Sequence, residues 1–420
     1  MTIRKRPEDF VVEERLSAAF AAGIAATRRP DDRCAVFELR KRSLTTQTAL
    51  RGLARALGVR DDDVDCAGLK DRHAATVQHA TVLLERLADP DRLAAHADDP
   101  ITSGGPARAA DEVDEEGARW SARFLGWCGA PITGEAIDGN SFTIVLRDCA
   151  SETCADMDRR ARLLADDGVL FVANYFGAQR FGSARHGRGF AAKHLVAGDA
   201  ETALKLLLAT PSREDHGAAR TLHRVAEKHW GQWPEIVKAL PRIPERAVFE
   251  RLARGGSMLE GFAALPSFTQ RMCIEAWQSH LWNDAVRRFL ERTAKGPLLR
   301  SDDRFGPFLF PRARDLHPLL RKTLIGLPAP DTELQQPWRE DLLAAVAAEG
   351  ATLEALRVPD LGRPRFSNAK RSLFMRIERW RLEEPVPDET SSDRRRLART
   401  LRLDLPRGSY ATVVLRALGQ

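Results

Sequence analysis

The sequence predicts an α+β fold, in which a mostly antiparallel sheet drawn from both ends of the chain is interrupted by a helix-rich insertion. Three observations carry this. Over the first 165 residues, short alternating or apolar runs exchange with helical ones. From about 191 to 349, apolar residues recur at helical spacing. After about residue 358 strand character returns. Sheet, helices and sheet again indicate one domain inserted into another. The outer domain is expected at 1–170 and 358–420, and the inserted one at 171–357.

The elements follow in order. "PEDFVVEERL" (7–16) leaves a proline turn and enters an apolar strand, and "CAVFELR" (34–40) alternates as a second. "SLTTQTALRGLARALG" reads as a helix. Ser43 can cap it, Ala49, Leu50, Leu53 and Leu57 share a face, and Gly58 can end it. "VDCAG" is a strand ending at Gly68, and "ATVQHATVLLE" (75–85) is the next. Residues 96–118 are acidic, Gly- and Pro-rich and aperiodic, as an exposed loop would be. "RWSARFLGW" and "NSFTIVLR" are further strands, and "TCADMDRRARLLADDG" is a helix. In the insertion, "AETALKLLLA", "GAARTLHRVAEKHW", "ERAVFERLARG" and "RMCIEAWQSHLWNDAVRRFLERT" carry helical periodicity. Near the end, Leu401, Leu403 and Leu405 alternate as in a strand. "GSYATVVLRAL" fits either a helix capped by Ser409 or one more strand.

The 420 residues are 43% hydrophobic and 30% charged, which suits a soluble globular chain with a sizeable core. The charged N-terminus does not resemble a signal peptide. No apolar run approaches the ~20 residues that cross a bilayer. The expected location is therefore cytoplasmic, with no membrane partner. The six cysteines form no C-x-x-C pair and read as reduced, mostly buried thiols. Net charge is +6, and residues 361–420 hold 14 Lys/Arg against 7 Asp/Glu. An arginine-rich segment of this kind suits a phosphate-bearing partner, although charge alone favours a solvated basic face.

The P-loop, a dinucleotide glycine fingerprint, H-E-x-x-H and G-x-S-x-G are all missing from the sequence, and its ten histidines are scattered. The expectation is no cofactor, no nucleotide cofactor and no metal, which leaves a carboxylate as a natural catalytic group. Asp71 lies in "AGLKDRHAATVQ", in a loop between two strands, flanked by Lys70 and Arg72. Gly68 lets that loop turn or approach a ligand. Local chemistry alone favours a salt-bridged turn aspartate over a catalytic one.

Six ordered blocks change the weighting. They are "RKRPEDFVVEE", "GLKDRHAATVQ", "GNSFTIVLR" (139–147), "NYFGAQRFG" (174–182), "WQSHLWNDAV" (277–286) and "LPRGSYATVVLR" (405–416). Together they resemble the TruD family of tRNA pseudouridine synthases over nearly the whole chain. The resemblance implies a pseudouridine-synthase catalytic domain interrupted by an inserted TRUD domain. It also implies tRNA as partner, with other structured RNA as an extension, and isomerisation of uridine 13 without a cofactor.

By the same resemblance, Asp71 falls on the catalytic aspartate, and Asn140 and Phe142 on an active-site asparagine and a base-packing phenylalanine. Phe10 and Tyr410 fall on aromatic substrate contacts. Arg4 falls where the family often has a lysine near the aspartate, with Lys5 competing for that place. Lys70, Arg72 and Arg180 are expected at the RNA backbone. The alternative is a non-catalytic RNA-binding protein, a tRNA-folding chaperone on the same scaffold.

Overall fold

The computed structural model describes residues 1–95, 100–102 and 119–420. Apart from 100–102, the expected exposed loop at 96–118 lies outside the described residues. The chain divides into two compact units. One comprises Met1–Leu170, Arg376–Ala411 and Leu418–Gln420, and the other Phe171–Met375 and Thr412–Ala417. Residues 358–375, whose strand character suggested the first body, group with the second. There the short strand Lys370–Ser372 pairs with Leu324–Gly326.

The first unit is built on a ten-stranded sheet. Its strands include β1 (Phe10–Leu16), β2 (Cys34–Arg42), β3 (Val64–Cys66), β4 (Ala75–Leu83), β5 (Ile101–Thr102), β6 (Arg119–Cys128) and β7 (Ile137–Cys149). The spatial order is Trp380–Leu382, Leu397–Pro406, β7, β1, β4, β2, β6, β5. The late strand Leu397–Pro406 thus lies beside β7, and both ends of the chain contribute to one sheet. Pairing is antiparallel except between β1 and β4.

Strand register explains the division of labour across this sheet. Successive side chains alternate between faces. On one face, Phe10, Val12 and Glu14 of β1 stand opposite Ile144, Phe142 and Asn140 of β7. The same face continues through Thr76 on β4 to Lys41 and Leu39 on β2, then to Trp120 and Ala122 on β6. Helix α1 (Ala18–Gly23) follows β1, and α2 (Thr46–Leu57) covers the β2–β6 half. α2 buries Ala49, Leu53 and Ala54 with Phe37, Leu39, Trp120 and Phe124. The reverse face near β7 is polar: Ser141 donates to Asp404 at 2.6 Å, and Arg402 donates to Thr143 at 3.0 Å.

α2 is capped by Thr45, whose hydroxyl accepts from the Thr48 amide at 3.1 Å, and it ends at Gly58 with φ +70°. Ser43 is not the cap. It sits in the left-handed region at φ +54°, making the turn that buries Leu44 before the helix starts. Glycine is required at Gly139, where an added Cβ would lie 2.0 Å from the Leu405 carbonyl oxygen.

The second unit is organised by the 27-residue helix Ser267–Thr293, whose Ile274, Trp277, Leu281, Trp282 and Phe289 are fully buried. The "NYFG" segment is fixed to this helix by one asparagine. Asn283 accepts from the Phe176 amide at 2.8 Å and donates to the Phe176 carbonyl at 3.0 Å. Tyr175 is buried and stacked on Phe308, and its hydroxyl bonds the Leu309 carbonyl at 3.2 Å. Residues 411–417 form a helix, which decides between the two expectations for that segment. The Ser409 hydroxyl is buried without a hydrogen-bond partner, so it does not act as the cap.

Candidate active site

The loop between β3 and β4 carries Asp71, and its neighbours grip it at four points. The Lys70 amide donates to Thr46 Oγ1 at 2.9 Å, at the start of α2. The Lys70 ammonium reaches Glu14 on the interior strand β1 at 2.5 Å. Lys41 Nζ donates to the Asp71 carbonyl at 2.7 Å. The Asp71 carboxylate is paired with the Arg4 guanidinium at 2.6 Å. Loop residues are mobile by default, so four anchors from four separate segments indicate a carboxylate whose position matters.

Arg4 is the member of the N-terminal basic pair that meets Asp71. Lys5 turns the other way and donates to the Thr390 carbonyl at 2.7 Å. Arg4 has a left-handed backbone, φ +62°, which is costly for a residue with a side chain and persists only where its surroundings impose it. Those surroundings are visible. Thr2 and Arg147 exchange backbone hydrogen bonds at 2.8 Å, and Arg147 is itself buried between Asp9 at 2.8 Å and Asp388 at 3.2 Å. Burial alone would raise the Asp388 pKa. The Thr390 and Arg147 side chains and backbone amides outweigh it and hold the carboxyl far below its ordinary value. This cluster fixes the segment that delivers Arg4.

Beneath the guanidinium lies the Phe10 ring, 4.3 Å from Arg4 Cζ, and the Phe10 and Phe142 rings meet edge to face at 6.0 Å. Phe10 is only 2% exposed. It supports the Arg4 guanidinium from below. Phe142 and Asn140 are half-buried on the same face. The Asn140 Oδ1 is buried with no hydrogen-bond partner, as are Arg4 Nε, Thr76 Oγ1 and Gln78 Nε2. Buried polar atoms are nearly always satisfied. Thr76 and Gln78 are closed in the core, whereas the half-buried Asn140 is the one strand residue of the four with access to an incoming polar partner.

The other expected residues divide. Arg72 is exposed next to Asp71. Lys70 is not directed outward to a phosphate: its side chain is 12% exposed and bound to Glu14. Tyr410 is half-buried, five residues past Leu405, whose register partner is Asn140. Arg180 lies in the second unit, where it pairs with Glu275 at 2.8 Å. Gly68 has no positive φ, and a Cβ there would meet nothing within 4 Å, so the loop's course does not require glycine. Among the described residues, no group of three or more His, Cys, Asp or Glu side chains is placed to hold a metal ion.

A family model described as tRNA pseudouridine synthase D (TruD) matches residues 1–304. The chain belongs to this family. TruD proteins named as tRNA pseudouridine synthases resemble it over almost their full lengths. The Aquifex aeolicus "tRNA pseudouridine synthase D" is 26% identical, covering 99% of this chain and 97% of that one. The Methanocaldococcus jannaschii "Probable tRNA pseudouridine synthase D 2" is 26% identical, covering 99% and 91%. A TruD crystal structure from Methanosarcina mazei has the same fold, with TM-score 0.65 and 22% identity over 99% of this chain and 92% of that one. This TruD chain is accordingly an enzyme of the isomerase class that makes pseudouridine.

Sequence reasoning missed Lys41, Thr46, Glu14 and the Arg147–Asp388 pair. Lys41 left a trace: in "CAVFELRKR" it occupies the inward phase set by Phe37 and Leu39, where a charged residue is out of place. Glu14 stood inside a motif block but carried no local sign that its partner was Lys70.

Proposed function

We propose that this chain converts one uridine of folded tRNA to pseudouridine, uridine 13 by family resemblance, with Asp71 as the catalytic group. The observation that carries the reading is the pinned Asp71 carboxylate, held by Arg4, whose guanidinium lies over Phe10 on the sheet face that also carries Phe142 and the unpartnered Asn140 Oδ1.

The reaction breaks the N1–C1′ bond of uridine, turns the uracil and joins C5 to C1′. C5 then loses its proton and N1 gains one, so atoms and electrons balance without an added reagent. The target base must leave its stack at a cost of a few kcal/mol. Stacking on an aromatic ring returns about 1–3 kcal/mol per base, and Phe142 is the ring available on this face. Asn140 Oδ1 is an acceptor that matches the uracil N3–H donor, which cytosine lacks. Tyr410 follows the strand alongside Asn140 and is a further aromatic contact.

Asp71 acts as a carboxylate, either attacking C1′ or taking a proton from the sugar as the uracil departs. Both routes require the charged form at a fixed place, which the Arg4 guanidinium supports. Arg72, exposed beside it, is the cation available to a backbone phosphate. Among the described residues no helix is long and apolar enough to cross a membrane.

The test is Asp71→Asn assayed on tRNA by site-resolved pseudouridine mapping. Product should be absent while tRNA affinity stays within a few-fold. Normal product from this variant would end the assignment. Loss of product together with loss of tRNA binding would instead make the site one of recognition.

A further inference from the structure

Lys41 is the penultimate residue of β2 and points to the apolar side of the sheet, in phase with Phe37 and Leu39. Its relative exposure is 3%. Among the described residues no carboxylate lies within 4 Å of its nitrogen, and its hydrogen bond goes to the Asp71 carbonyl at 2.7 Å. Lys70, eight-ninths buried and nearby, has Glu14 to neutralise it. Lys41 has only a backbone oxygen.

A buried ammonium without an ion-pair partner is costly, because water is removed and no opposite charge replaces it. Burial pushes the Lys41 pKa down to about 8, with the Asp71 charge pulling it up and Lys70 pushing it further down. A methionine would fill the same space without this penalty. A costly group kept at the one point where it touches the reactive loop serves the reaction and not the core.

Geometry says what it does there. Arg4 holds Asp71 by its carboxylate, and Lys41 holds it by its carbonyl. Without Lys41, the Asp71 backbone is held only through its neighbour Lys70, bonded to Thr46 and Glu14, and the carbonyl itself is free to turn. With Arg4 and Lys41 both in place, the Cα is fixed between two cations on separate segments, and the carboxylate has one direction of approach to a sugar carbon. An error of an ångström in such a placement slows a reaction about a hundredfold.

We propose that Lys41 is a positioning residue for the isomerisation, its buried side chain clamping the Asp71 backbone so that the carboxylate meets the ribose in one orientation. This rests on Asp71 being the catalytic group.

The decisive variant is Lys41→Met in the full-length protein, measured on tRNA by single-turnover pseudouridine formation, tRNA affinity and thermal melting. The expected result has three parts: a rate at saturating tRNA reduced at least tenfold, a tRNA Kd and KM within threefold of wild type, and a melting temperature unchanged or raised. A merely structural lysine would give the opposite pattern, with melting and affinity falling alongside rate, and that result overturns the proposal. Failure of Lys41→Met to fold overturns it too, since the ammonium would then be required by the core. A wild-type rate in Lys41→Met with an inactive Asp71→Asn defeats the Lys41 role alone. An active Asp71→Asn removes the premise beneath it.

Discussion

Glu14→Gln tests whether one buried carboxylate supports the reactive loop from below. The Glu14 side chain is 1% exposed. One oxygen accepts from Lys70 Nζ at 2.5 Å, and the other accepts from the His79 amide at 2.8 Å, with His79 Nδ1 at 3.3 Å. Burial alone would raise the Glu14 pKa, but the His79 hydrogen bonds and the Lys70 charge outweigh it and hold the carboxyl below its ordinary value. Glutamine keeps the shape and loses the charge. It also turns one acceptor into a donor. The Lys70 ammonium and the His79 amide both donate, so either orientation of the new amide sets a donor against a donor.

Removing one partner of a buried pair costs about 3–5 kcal/mol. Lys70 retains some solvent access, at 12% exposure, and can partly rehydrate, which selects the lower end, about 3 kcal/mol. For a body of roughly two hundred residues this lowers the melting temperature by about 6–12 °C. Chemical denaturation of Glu14→Gln, Lys70→Met and the double variant measures the coupling directly. The double variant leaves no orphaned charge and should be less damaged than the two single losses added together, by at least about 1 kcal/mol. Turnover on tRNA, assayed well below every melting point, should fall in Glu14→Gln because Lys70 adjoins Asp71. A Glu14→Gln protein within about 0.5 kcal/mol of wild type, or strict additivity in the cycle, refutes the reasoning.

Two further outcomes follow from single contacts. Gly139→Ala places a methyl 2.0 Å from the Leu405 carbonyl and must part β7 from its neighbour, so a loss of about 1–3 kcal/mol in urea unfolding is expected, and a neutral result contradicts the register. In the second unit, the His280 hydrogen bond, working with Lys193 against burial, lowers the Glu349 pKa to about 2. A depressed carboxylate stabilises above its unfolded pKa and ceases to as pH falls through the folded one. The stability gap between wild type and Glu349→Gln, about 2 kcal/mol at pH 6 after allowance for partial exposure, should therefore be narrower at pH 3.5, and a gap that widens in acid excludes the ion pair as its cause.

What the sequence made legible was local or periodic. The inward residues of α2, the long helix Ser267–Thr293 and the loop position of Asp71 each follow from spacing within a few residues. The contacts that give Asp71 its setting join residues far apart in the chain. Arg4 lies 67 positions from Asp71, Lys41 lies 30, and Arg147 reaches Asp388 across 241. No pattern of hydrophobicity encodes such pairings. The three-residue strands Leu299–Ser301, Phe308–Phe310 and Leu324–Gly326 were hidden for a different reason: three residues cannot establish an alternation. The parallel β1–β4 pair was hidden because a strand's sequence does not state the direction of its neighbour.

Formal charge likewise says nothing of which side chains are already engaged. The arginine-rich residues 361–420 suggested a phosphate-binding surface, yet many of these side chains answer the protein itself. Arg399 is 2% exposed and bonds the Glu383 and Cys154 carbonyls and Asp158. Arg402 pairs with Glu383, Arg395 with Asp393, Arg396 with Asp148, and Arg376 with Glu378. Arg371 lies over Phe176 and bonds Asn174. A cation buried against carbonyls and a carboxylate, as Arg399 is, is not available to a phosphate, whereas an exposed pair such as Arg395–Asp393 yields readily. The salt dependence of tRNA binding should therefore track the outward cations such as Arg72 and be smaller than the C-terminal arginine count implies. The same logic separates the three charged residues around Asp71: Lys70 is bound to Glu14, Arg4 to the Asp71 carboxylate, and Arg72 is exposed.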